Sequence, residues 1–162
     1  MSTTIEIRRD KNFTIPKQIT NMKISIGSDH AGVELKEQII QVFNSKHEFI
    51  NVGTNTIESV DYPDFAHKAV SVYKKEKCDL IILICGSGNG IQMSANKHKD
   101  IRCALCWSQE IAKLARQHNN ANALALPARF INKNNAVQII EVFLQTDFKG
   151  GRHKKRMDKI NA

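Results

Sequence analysis

The residues best placed for chemistry surround Cys85. An almost unbroken apolar run, Asp79–Ile84, leads into this cysteine, and Gly86-Ser87-Gly88-Asn89-Gly90 follows directly. Glycine lets backbone N–H groups converge on a bound anion, and a helix starting there adds the positive end of its dipole. A cysteine at that point is a candidate to attack, or to move a proton, beside an oxyanion or phosphate. A buried strand cysteine ahead of an ordinary tight turn accounts for the same residues equally well. Familiar phosphate motifs do not fit. The glycine spacing is GxGxG rather than GxGxxG, and no GK[ST] is present. Where a cysteine phosphatase closes its loop with arginine, six residues after the cysteine, this chain has Ile91.

Three further segments hold groups that could act with it. Asp29 and His30, within Gly27-Ser28-Asp29-His30-Ala31-Gly32, could orient a hydroxyl and move a proton. A helix-capping Asp beside an incidental His is the competing reading. His118 and Asn119, within Arg116–Asn122, could supply a general acid and a sugar contact. A histidine that merely complements a helix C-terminus is the simpler reading there. In the tail, Arg152 and Arg156 are spaced to share one helical face and could clamp a phosphate. A solvated basic tail is the alternative. Cys103 and Cys106 form a lone CxxC inside an apolar stretch, which fits buried strand thiols better than zinc or redox chemistry.

These groups need a scaffold, and short apolar runs alternating with amphipathic segments describe one. Strands are expected over Lys23–Gly27, Glu48–Val52, Asp79–Ile84, Ile101–Cys106 and Ala123–Leu126. A helix is expected from Gly32 to Ser45, with Leu35, Ile39, Val42 and Phe43 recurring at helical spacing. Others should run from Pro63 to Lys77, from the glycine turn to His98, from Ser108 to His118 and from Asn134 to Leu144, with a short basic helix within Gly150–Ile160. Strand followed by helix, five times over, predicts an α/β domain with a parallel sheet covered on both faces. Ligands bind such sheets at the carboxyl ends of the strands, where Asp29-His30, Gly53-Thr54, Cys85–Gly90, Trp107-Ser108 and Pro127–Arg129 fall. The domain occupies residues 22–162, and residues 1–21 are expected as a disordered N-terminal extension.

Composition narrows the function classes. With 162 residues, 41% hydrophobic and 25% charged, the chain suits one globular domain. It contains no apolar run of membrane-spanning length, and a secretory leader is not expected, since the first residues lack an apolar core and carry Glu6 and Asp10. Reduced cysteines and a cytoplasmic location follow as expectations. The net charge of +8 could indicate nucleic acid, but it sits at the ends. Residues 1–23 carry net +3 and residues 149–162 net +5, leaving the centre neutral. Nucleic-acid and membrane partners are therefore not expected.

Taken together, GSDHAG (27–32), DYPDFA (61–66), ICGSGNGIQMSANK (84–97), RCAL (102–105), ARQHNNAN (115–122) and GGRHKKR (150–156) resemble the type B ribose-5-phosphate isomerase family. That family also includes the galactose-6-phosphate isomerase subunits. The resemblance spans about residues 22–160, in order. It implies a Rossmann-like three-layer α/β/α fold with a five-stranded parallel sheet. It also implies a homodimer with shared active sites, a small sugar phosphate as substrate, and no metal or other cofactor. The chemistry implied is aldose–ketose isomerisation through an enediolate. By the same resemblance Cys85 is the base, and Ser87 with Gly86, Gly88, Asn89 and Gly90 stabilises the enediolate. Asp29, His30 and Asn119 contact the sugar, and His118 assists ring opening. Arg129, Arg152 and Arg156 bind phosphate, with His153 nearby. One branch of the family uses a glutamate after the last glycine. Here that residue is Ile91, which leaves Cys85 as the base. Allose or galactose 6-phosphate is the alternative substrate. A nucleic-acid-binding or thiol-redox protein is the alternative class.

Overall fold

The computed structural model describes residues 21–161. Five strands make one all-parallel sheet: β1 (Lys23–Ser28), β2 (Glu48–Asn51), β3 (Leu80–Cys85), β4 (Cys103–Leu105) and β5 (Ala123–Pro127), ordered β2-β1-β3-β5-β4. The helices are α1 (Val33–Phe43), α2 (Tyr62–Lys75), α3 (Asn89–Ala95), α4 (Gln109–Asn119), α5 (Lys133–Gln145) and α6 (Arg152–Met157). The extension expected over residues 1–21 falls, but for Asn21, outside the described residues.

Strand residues alternate between two cores, as the pleat requires. Ile24, Ile26, Ile82, Ile84, Leu124 and Leu126 pack against apolar residues of α1, α4 and α5. Ile81, Leu83, Cys85, Ala123 and Ala125 pack against those of α2 and α3. This is the expected three-layer arrangement. β3 is buried along its whole length, which is why its sequence shows no polar alternation. The chain runs from β1 to β2 on one side and then crosses to β3 on the other. The crevice this creates lies between the carboxyl ends of β1 and β3. No helix among the described residues is long and apolar enough to cross a membrane.

Several details differ from expectation. In α1 the buried positions are Leu35, Lys36, Ile39 and Phe43, while Val42 is exposed. Lys36 enters the core because the segment after β2 offers its ammonium the Thr54 carbonyl at 2.6 Å and Asn55 Oδ1 at 2.8 Å. α3 stops at Ala95 rather than His98. The Asn96 side chain accepts from Cys103 N and donates to Cys103 O, standing in for a strand beside the exposed edge of β4. β4 is correspondingly shorter than Ile101–Cys106, since Arg102 N donates to Asn122 Oδ1 instead of joining the ladder.

Candidate active site

Two clusters emerge, at opposite edges of the sheet. The first is at the carboxyl edge. Cys85 ends β3, 4% exposed, with its side chain on the α2/α3 face. The chain then turns through Gly86–Gly88 into α3. Gly88 has φ of +76°, and a Cβ there would lie 2.4 Å from Leu105 Cδ1, so the turn demands glycine on two counts. Ser87 is exposed, and its Oγ accepts from the N–H and Nδ2 of Asn89 at 3.3 Å, which leaves the hydroxyl proton to donate.

Two neighbouring strands bring further groups to this turn. Asp29 N donates to Ile84 O at 3.2 Å, which sets the Asp29-His30 pair beside Cys85. Asp29 is buried and caps the 3-10 turn His30–Gly32 by accepting from Ala31 N at 2.9 Å. The capping reading of Asp29 is thus present in the structure, and His30 has a backbone partner of its own. Its Nδ1 accepts from Val60 N at 3.2 Å. After β5, Ala128 N and Arg129 N donate to Cys85 O and Gly86 O, both at 3.0 Å. A Cβ on Gly86 would lie 3.1 Å from Arg129 Nη1, so this guanidinium lies over the turn.

The second cluster is at the amino edge. His118 and Asn119 end α4, just before β5 begins. Asn120 closes the helix in the left-handed region, and Arg116 locks that end by donating to Thr146 O at 3.2 Å and to the Ala121 carbonyl. Lys149 N donates to Gln117 O at 3.0 Å, bringing the tail back so that α6 packs on α4. The ring of His153, buried in α6, stacks on His118 with centroids 4.0 Å apart and planes 7° apart. Burial, with the nearby charges of His118, Arg152, Arg156 and Lys149, holds His153 below the usual histidine range. Arg152 and Arg156 are exposed on the same helix.

The edges are far apart within one chain. Ala123 pairs with Ile81 and Pro127 with Cys85, so the length of β5 separates them, about 13 Å at strand rise. His118 precedes Ala123 and lies farther out still. Proton transfer needs heavy atoms about 3 Å apart, so Cys85 and His118 of one copy cannot act on the same atom.

A family model described as Ribose/Galactose Isomerase matches residues 24–160. The chain belongs to the ribose/galactose isomerase family. A relative from Mycoplasma genitalium, described as a probable ribose-5-phosphate isomerase B, is 43% identical over 143 residues, covering 86% of this chain and 94% of its own. The solved ribose 5-phosphate isomerase of Thermotoga maritima superposes with a TM-score of 0.84 at 47% identity, covering 86% of this chain and 97% of that one. The Mycoplasma genitalium ribose-5-phosphate isomerase B solved with bound ribulose-5-phosphate superposes with a TM-score of 0.81 at 43% identity, over 88% and 95% of the two chains. The chain is an isomerase with the fold of these enzymes.

For the family's chemistry, the structure brings Cys85, the Gly86–Gly90 turn, Ser87, Asp29, His30 and Arg129 to one edge. It brings His118, Asn119, Arg152, Arg156 and His153 to the other. Sequence reasoning missed two things. The His118–His153 stack joins residues distant in the chain and has no local signal. Lys36 was hidden because an isolated lysine in an amphipathic helix ordinarily reads as solvent-facing. Cys103 and Cys106 are buried free thiols, and burial pushes Cys106 up to about 12 and Cys103 further up. Among the described residues no three His, Cys, Asp or Glu side chains group as a cation site.

Proposed function

We propose that this isomerase interconverts D-ribose 5-phosphate and D-ribulose 5-phosphate through an enediolate, with Cys85 as base, in sites completed by a second copy. The observation that carries this reading is the place of Cys85 at the switch point of the sheet, opening onto a glycine turn covered by Arg129. The ribose-5-phosphate isomerase relatives, one solved with ribulose-5-phosphate, support the five-carbon substrate.

The C2 proton of the open-chain aldose is acidified by the neighbouring C1 carbonyl. The Cys85 thiolate takes it, the C2–H pair forms a C1=C2 double bond, and the carbonyl π pair moves onto the C1 oxygen. The C2 hydroxyl proton passes to that oxygen, and the proton held by Cys85 returns to C1 as the C2 oxygen becomes the ketone. Ser87 and the backbone of Gly86, Gly88, Asn89 and Gly90 stabilise the enediolate oxygen, at roughly 3 kcal/mol per well-aimed donor. Asp29 and His30 hold sugar hydroxyls. His118, with Asn119 beside it, moves the proton that opens the furanose ring, and Arg129, Arg152 and Arg156 neutralise the phosphate.

The separation of the two edges supports a two-fold dimer. If each copy lays its amino edge on the other's carboxyl edge, both sites are complete and equivalent. Exposed Trp107 and Phe130, which follow β4 and β5, and Met93 on α3 give the carboxyl edge apolar surface to bury in that contact.

A coupled assay with ribose 5-phosphate and allose 6-phosphate, run on the wild type and Cys85→Ala, tests the reading. Turnover of the pentose that is lost in Cys85→Ala is expected. Preference for the six-carbon sugar would overturn the substrate, and an active Cys85→Ala would overturn the base.

A further inference from the structure

We infer that Lys36 is a positioning residue for His30, acting through the segment that joins β2 to α2. This rests on the proposed function for its kinetic consequence, but its structural content stands without it. Lys36 is an ammonium with no solvent exposure, which is costly unless its donors are used. Two go to the start of the segment, Thr54 O at 2.6 Å and Asn55 Oδ1 at 2.8 Å, and Glu37 Oε1 lies at 3.4 Å. The same start is tied to β1 by Thr54 N donating to Ser28 O at 3.1 Å. The far end of the segment meets His30, whose Nδ1 accepts from Val60 N at 3.2 Å.

That last bond decides the tautomer. A ring nitrogen that accepts an N–H cannot carry a proton, so the neutral imidazole keeps its proton on Nε2 and donates only from there. His30 lies in the turn that follows β1, and Asp29 is bonded to the last turnward carbonyl before Cys85. A donor of fixed identity beside the base suits an oxygen of the sugar. The segment from Gly53 to Val60 has no helix or strand to hold it. The Lys36 anchor therefore keeps Val60 in register with His30, and its hydrogen bonds to Thr54 and Asn55 offset both the burial of an ammonium and the ordering of the segment.

Lys36→Met removes the donors while keeping a long unbranched side chain, and Asn55→Ala removes one acceptor from an exposed position. Long-range ¹H–¹⁵N spectra of the unliganded protein report the histidine tautomers, with His30→Asn assigning the signal. The wild type should show His30 as the Nε2–H form. Lys36→Met should give a mixture of tautomers and raise KM for ribose 5-phosphate about 10-fold, with Asn55→Ala showing a smaller change in the same direction. Mere loss of folded enzyme would lower kcat without moving KM or the tautomer. A folded Lys36→Met with the Nε2–H form intact and KM within about two-fold of wild type overturns the inference. Should Lys36→Met not fold, unchanged tautomer and KM in Asn55→Ala overturn it. If the wild type turned over no pentose phosphate, the proposed function would fail while the tautomer measurement still decided the role of Lys36.

Discussion

The two edges of the sheet are built by different means. At the carboxyl edge, strand ends place Cys85, Asp29 and Arg129, and backbone hydrogen bonds such as Asp29 N to Ile84 O and Arg129 N to Gly86 O hold them. Adjacent strands lie about 4.8 Å apart, so groups just after β1, β3 and β5 are neighbours by construction. At the amino edge, helix ends do the placing. α4 and the tail helix α6 meet through the His118–His153 stack and the Arg116 lock, and the cluster is strongly cationic. In the proposed function, one edge offers the base and a cradle with a single arginine, and the other offers charge and an acid. Each lacks what the other has, which is the physical case for a site made of two copies.

That comparison can be broken in several ways. The largest effect should come from Cys85→Ala, which is expected to lower kcat by about 10³-fold or more while the substrate still binds, as measured by turnover and by calorimetric titration. Next, mixing inactive Cys85→Ala with inactive His118→Ala, with subunit exchange, should restore about a quarter of wild-type activity. Half of the dimers are then mixed, and each has one intact site. No recovery would mean that each chain carries a whole site. Arg152→Ala and Arg156→Ala should each raise KM for ribose 5-phosphate about 10-fold with little change in kcat, and a constant KM in both would remove the phosphate clamp.

Smaller effects separate the edges by stability. Gly88→Ala forces a side chain into Leu105 at a left-handed backbone position, and should cost about 1–3 kcal/mol by denaturant unfolding. The amino edge should instead respond to pH. Burial and neighbouring charge hold His153 below the histidine value of 6.5, and burial does the same for His47. The unfolded chain takes up these protons as pH falls through about 6.5, while the folded chain resists them, so stability is lost on acidification. The thermal midpoint should drop between pH 7.5 and 5.5, and His153→Asn should blunt the drop.

Much of this was legible in the residues. The apolar run ending in Cys85 identifies a central strand, because only a strand covered on both faces is apolar throughout. The glycine turn after it identifies the carboxyl edge, and i, i+4 spacing correctly puts Arg152 and Arg156 on one helix. Helical spacing puts Val42 on the apolar face, yet Val42 is exposed and Lys36 is buried, because periodicity registers polarity and not the acceptors waiting at a loop. The end of α3 was misplaced because an asparagine that bonds a strand edge looks locally like any helical residue.

By itself, the sequence determined the alternation of strands and helices and the chemical kinds present, since hydrophobic period, turn residues and side-chain chemistry are local properties. Only the tertiary structure decided which of those groups share an edge. Parallel strands send every helix back to the starting side, so the residues at strand ends and those at helix ends are separated by the length of the strands, however close their motifs stand along the chain. The same three-dimensional path stacks His118 on His153 and ties Lys36 to the segment that holds His30, pairings that no spacing along the chain encodes.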